Sequence, residues 1–198
     1  MIKKTKKKIT KKSQKKKRAK PRKTRAKIEP DQIILQSRQI MLFGIIDGAM
    51  AHRVIKELLV LDKLSHEPIT LMINSGGGSV YDGFAIIDTM KGIPSPVITM
   101  ITGKACSMAG LISISGEARF MTANSVWMAH DVATANYDYV TKFLARAEHS
   151  KEVQKRSFAH LAKHTKLSQT ELTKARNEEL WYYAEDCKKK GIVDNVVK

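Results

Sequence analysis

Between Pro30 and Thr102 the chain alternates short apolar runs with stretches of helical periodicity, and this alternation limits its possible folds more than any other feature. Ile40–Phe43, Thr70–Ile73 and Val97–Thr102 read as short buried strands. Between them, Ala49–Leu64 has apolar residues at Val54, Leu58, Leu59 and Leu61, and Val80–Met90 sets Phe84, Ile87 and Met90 on one face. Both spacings are helical. Strands separated by single helices need crossover connections, so an α/β protein with a largely parallel sheet is expected.

The pattern continues beyond that stretch. Ser107–Ser115 reads as a small-residue helix, and Arg119–Thr122 and Val126–His130 read as strands. Asp138–Lys166 differs in kind, being long and charged with apolar residues at Val140, Phe143, Leu144, Val153, Phe158 and Leu161; it predicts an amphipathic helix projecting from the body. Ser168–Glu179 begins like a second helix with a capping box, since Glu171 follows Ser168 by three residues. A short helix at Ala184–Lys190 stops at Gly191, and Val193–Val197 closes as a strand.

Charge divides the 198-residue chain in two. Residues 1–27 carry 16 Lys or Arg and no acid, leaving 20 basic against 19 acidic residues in 28–198 and concentrating the net charge of +17 in the tail. With almost no apolar residues the tail cannot offset its ordering entropy, and disorder is expected. Two uses are open to it: a solvated, solubilising extension, or electrostatic contact with nucleic acid or another polyanion. No aromatic is interleaved with its charges, so base stacking has no platform. Residues 28–198 are enough for one sizeable core and are expected to form one domain. The apolar runs fall short of the roughly 20 residues of a membrane span. Cys106 and Cys187 are too few for a disulfide framework, so a cytoplasmic protein without membrane contact is expected.

Three strand ends carry the candidate chemistry. Gly76-Gly77-Gly78-Ser79 joins a strand to a helix, where glycines permit a tight turn and present an N–H to a ligand, although a purely structural turn has the same composition. Neither this turn nor Gly103-Lys104-Ala105 has the spacing of a phosphate-binding loop, so this chain is not expected to bind ATP. Ser107, at the next junction, is either an N-cap or a nucleophile whose developing oxyanion would meet the N–H of Met108. Cys106 is the rival nucleophile, or a small residue packed beneath the turn. His130 ends an apolar strand, where a structural role competes with that of a base. His52, His66, His149, His160 and His164 lie in charged or helical segments, where exposure is expected. Ser107, His130 and Gly78 belong together because sites in parallel sheets gather at the carboxyl ends of strands. No Cys or His grouping has metal-ligand spacing, and neither a metal nor a cofactor is expected.

These residues resemble the Clp protease proteolytic subunit (ClpP) family, of the crotonase-like superfamily. The likeness runs from about Arg38 to Val197. It is carried by Ile73-Asn74-Ser75-Gly76-Gly77-Gly78-Ser79-Val80, Gly83–Met90, Ala105-Cys106-Ser107-Met108, Met128-Ala129-His130 and Gly191-Ile192-Val193-Asp194, in the family's order. The resemblance implies a repeated β-α-β superhelix, with Asp138–Lys166 as the projecting handle helix through which two heptameric rings stack. It implies Ser107 as nucleophile, His130 as general base, and the N–H groups of Gly78 and Met108 as oxyanion hole. Counting back from Gly191 puts Glu179 at the triad acid, where the family usually has Asp; Trp181 stands where it often has Phe. Gly76 replaces the usual Pro, and Asp131-Val132 replaces Gln-Pro. The implied activity is ATP-dependent serine endopeptidase cleavage of unfolded polypeptides inside a ring-shaped chamber. The ATP is used by a separate AAA+ Clp ATPase. Two other classes fit less of the pattern: a catalytically silent ring or assembly subunit, and an acyl-CoA enzyme of crotonase fold, which would not need Ser107 and His130 together.

Overall fold

A computed structural model describes residues 29–135 and 138–197. The basic tail, residues 1–27, lies outside the described residues. The first strand, β1 (Gln39–Ile46), is followed by α2 (Gly48–Leu64), β2 (Ile69–Gly78), α3 (Val80–Gly92) and β3 (Val97–Cys106). A short helix, α1 (Pro30–Gln36), precedes β1. These strands lie side by side and parallel, in the order β1-β2-β3, as the alternation predicts. β4 (Ala118–Thr122) and β7 (Asn195–Val197) extend the same parallel sheet.

The helices form where their sequences provide both a cap and a stripe. Asp47 caps α2 by accepting from Met50 N at 2.8 Å, and Ala51, Val54, Leu58 and Leu61 form its buried face. Leu59, expected on that stripe, is 51% exposed because it falls beside the stripe and not on it. Ser79 caps α3, which buries Gly83, Ile86, Ile87 and Met90; Phe84 is half-buried against the same core. Ile69, Leu71 and Ile73 of β2 point into one contiguous core shared with these helices.

The second half closes the site. α4 (Met108–Ser113) follows β3 directly, and β5 (Val126–Ala129) pairs in parallel with the end of β3. α5 (Val140–His164) is 25 residues long. Its first half is solvent-facing, with Val140 76% and Leu144 61% exposed, whereas Ser157, Phe158 and Leu161 of its second half are buried. This is the projecting helix expected from the charge pattern. α6 (Gln169–Asn177) starts at the expected capping box: Glu171 N donates to Ser168 Oγ at 3.2 Å, and Ser168 N donates to Glu171 Oε2 at 2.8 Å. It ends two residues earlier than expected. The following residues enter β6 (Leu180–Tyr183), the only antiparallel strand among those described, which pairs with β5. α7 (Ala184–Lys189) precedes β7. Among the described residues, no helix is long and apolar enough to cross a membrane.

Candidate active site at the strand ends

The glycine segment is not a turn. β2 continues through Gly76, Gly77 and Gly78, with a register irregularity against β1, and the helix starts only at Val80. Glycine is required at two of these positions. Gly77 has φ +98°, and a side chain there would come within 2.7 Å of both Ser107 Cβ and Cys106 O. Gly78 has φ +149°, and a side chain there would collide with the Ile46 carbonyl. The glycines therefore let β2 press its backbone against the end of β3.

Ser107 stands at that end. Its φ of 55° and ψ of −125° lie where non-glycine residues are rare, a strain of about 1–3 kcal/mol that persists only when the surroundings enforce it. The enforcement is visible: Ser107 N donates to Met128 O at 2.9 Å, and Gly77 packs behind it. The sharp bend sends the chain from β3 straight into α4. The Ser107 side chain caps nothing, so the N-cap alternative does not describe it. Met108 N belongs to the first turn of α4, where backbone N–H groups lack helical acceptors.

Pairing between β3 and β5 brings the histidine alongside. Cys106 is level with Met128, and His130 lies two residues beyond Met128. Ser107, Met108, His130 and Gly78 line one cavity of about 90 Å³, with Phe158 and Leu161 of α5 forming part of its wall. Among the described residues, neither Ser107 Oγ nor the His130 ring makes a hydrogen bond. Asp131 also lines the cavity, and Gln154 Nε2 of α5 donates to its two carboxylate oxygens at 2.7 and 2.8 Å.

Glu179 comes close by a different route. β5 and β6 pair with Ala129 level with Leu180, the last paired position of the ladder, and His130 and Glu179 are the next residues of the chain beyond that pair on either side. Glu179 does not line the cavity. Its Oε2 accepts from the Trp181 indole N–H at 2.9 Å, Glu179 lying just ahead of β6 and Trp181 within its start. Glu178 instead faces Lys174 at 3.9 Å.

Cys106 behaves as a packed residue. It is buried, and burial raises its thiol pKa; the positive charge of Lys104 opposes that shift and the negative charge of Glu179 adds to it. The thiolate is thus disfavoured at neutral pH. Two histidines depart from the expected exposure. His160 is half-buried, its Nε2 2.8 Å from Ser115 Oγ, and burial followed by the charge of His164 lowers its pKa to about 4. His164, with its ring centroid 4.4 Å from that of His160, is lowered by burial and then by Lys91. Both lie on the half of α5 that packs on the body. Among the described residues, no three His, Cys, Asp or Glu side chains come together as a metal site would require.

Comparison with known proteins identifies the family. The family model for Clp protease matches residues 2–198. The chain is 34% identical over 167 residues to ATP-dependent Clp protease proteolytic subunit 3 of Rhodococcus jostii (strain RHA1), covering 83% of each protein. It is also 34% identical over 170 residues to the ATP-dependent Clp protease proteolytic subunits of Streptococcus pyogenes serotype M5 (strain Manfredo) and Streptococcus equi subsp. equi (strain 4047). Those matches cover 83% of this chain and 87% of each relative. The chain is a protease, a hydrolase acting on peptide bonds. It belongs to the Clp protease family.

Proposed function

We propose that this chain is a serine endopeptidase, with Ser107 as nucleophile, His130 as general base, Glu179 as the acid behind it, and the N–H groups of Gly78 and Met108 as the oxyanion hole. The observation that carries this reading is the strained Ser107, whose hydroxyl caps nothing and shares a cavity with His130, Gly78 and Met108. A neutral serine is a poor nucleophile, so His130 takes the Ser107 proton as Oγ attacks the peptide carbonyl carbon. The charge that forms on the carbonyl oxygen is received by the two N–H donors, each worth roughly 100- to 1000-fold in rate. His130 then passes its proton to the departing amine. Water, deprotonated by the same imidazole, hydrolyses the Ser107 ester and regenerates the hydroxyl. None of these steps needs a cofactor.

Glu179 completes the arrangement when its carboxylate turns to the far nitrogen of His130, fixing the tautomer and stabilising the imidazolium. The β5–β6 register supports this role, and Oε1 is not the oxygen held by Trp181. Catalytic hydrogen bonds are commonly long or unmade before substrate binds. By analogy with the relatives' names, the chain acts as the proteolytic subunit of an ATP-dependent protease; the family resemblance extends this reading to polypeptides delivered by a separate ATP-driven unfoldase, inside stacked heptameric rings in the cytoplasm. Family membership displaces the acyl-CoA alternative. Ser107→Ala should lower peptide hydrolysis by about a million-fold, while Cys106→Ala keeps most of it. Wild-type turnover by Ser107→Ala would remove the proposal, and a wild-type chain that hydrolyses nothing would favour a silent subunit.

A further inference from the structure

We propose that Lys104 selects substrates carrying an acidic side chain within about three residues of the bond that is cut. The inference rests on the serine endopeptidase reading and adds a substrate class to it. A second, open groove runs beside the Ser107 cavity, lined by Gly44, Ile45, Asn74, Gly76, Gly77, Gly78 and Lys104, with a volume of about 470 Å³. Gly78 lines both, so the two adjoin at the backbone of that residue. The groove offers mainly glycine backbone, the surface along which an extended polypeptide can lie. Lys104 carries the only charge in it.

Three observations describe the setting of that charge. Gly103 has φ +125°, and its N–H donates to Ser125 Oγ at 2.7 Å, so the backbone entering Lys104 is held in a conformation that side chains rarely allow. A side chain at Gly76 would meet Lys104 Nζ at 3.8 Å, which puts the ammonium over the glycine floor. Lys104 is exposed and has no ion pair among the described residues. Its field nonetheless reaches Cys106, the neighbour of the nucleophile, whose thiol pKa it pulls down against burial. Lys104 precedes Ser107 by three residues, about 10 Å of strand, which matches two or three residues of an extended substrate. A glutamate or aspartate there would meet an uncompensated cation, and a lysine would meet a like charge.

The test uses the full chain and internally quenched peptides with one cleavable bond. The peptides are identical except for Glu, Gln or Lys at each of the three positions on either side. At one position kcat/KM should fall about 3-fold from Glu to Gln and about 10-fold from Glu to Lys, the scale of a partly exposed ion pair. The order should fade toward 1 M salt and invert in Lys104→Glu. An unchanged Glu-to-Lys ratio in Lys104→Glu would overturn the proposal while leaving the protease reading intact. A second arm measures binding of the fluorescein-labelled Glu and Lys peptides to Ser107→Ala by anisotropy, which requires no hydrolysis. Charge-ordered binding that inverts in the Lys104→Glu, Ser107→Ala double variant would support the groove even if Ser107 proved not to be the nucleophile. Equal binding of both peptides in both proteins would overturn it.

Discussion

At Ser107 and Gly77 the backbones of two strands meet so closely that one residue must be glycine and the other must be strained. Gly77→Ala therefore places a methyl group against Ser107 Cβ in a φ region that costs a non-glycine residue about 1–3 kcal/mol. It should lower the melting temperature by about 3–10 °C and lower peptide turnover at least 100-fold, measured by calorimetry and a fluorogenic peptide. Glu179→Gln should cut kcat by several orders of magnitude without altering assembly, because an amide holds the wrong tautomer of His130, whereas Glu178→Gln should be nearly neutral. The reverse pattern would move the acid by one residue. Ser107 and His130 were legible in the sequence because each ends an apolar run and strand ends in a parallel sheet converge. The Trp181 contact with Glu179 was not, since it depends on β6, whose existence no local periodicity announces. Nor was the burial of His160 and His164, which depends on which half of α5 packs and which half projects.

At the scale of elements, local chemistry was readable and tertiary pairing was not. The capping box of α6 was visible because Ser168 and Glu171 satisfy each other across three residues. β6 was missed because its four residues gain strand geometry only from pairing with β5, and the same pairing ends α6 at Asn177. β2 runs on through its glycines because β1 stays beside them to Gly78. α1 was also missed; it is a single short helix with Pro at its start and no fully buried residue. Glu171 does more than cap. Burial works to raise its pKa, but Lys190 and Tyr182, both 2.5 Å from Oε1, and Ser168 overcome it and hold the carboxyl at about 2. A folded-state pKa depressed from 4.5 stabilises the fold above pH 4.5, and that stabilisation is lost as pH falls toward about 2. Glu171→Gln should thus lower the urea midpoint at pH 7, and the gap to wild type should narrow through that window. A gap independent of pH would show that the carboxylate charge is not what ties α6 to β6 and α7.

For the whole molecule, two surfaces are left half-covered. Met41, Met72, Met100 and Phe120 stand level with one another across β1 to β4, all half-buried, on the sheet face opposite the helical core. Val140, Phe143 and Leu144 are exposed on the first half of α5. Apolar patches of this kind mark association surfaces, and the proposed ring assembly would bury them. Phe143→Asp with Leu144→Asp should shift sedimentation from a stacked double ring to smaller species, since charges there oppose burial. Deletion of residues 1–27 should leave assembly and short-peptide cleavage intact. If the tail binds polyanions, the deletion should also abolish salt-dependent retention on DNA or RNA. The parallel sheet and projecting helix were legible from alternation and charge; which faces meet other copies was not, because a sequence pattern does not distinguish a core face from an association face. The most direct measurement of the central claim is labelling of the full chain with a fluorophosphonate, followed by mass mapping of the adduct and parallel assay of peptide hydrolysis. The account predicts modification at Ser107 alone, with hydrolysis lost in proportion. A chain that hydrolyses peptides while Ser107 remains unlabelled, or that is labelled at another residue as its activity disappears, would contradict it.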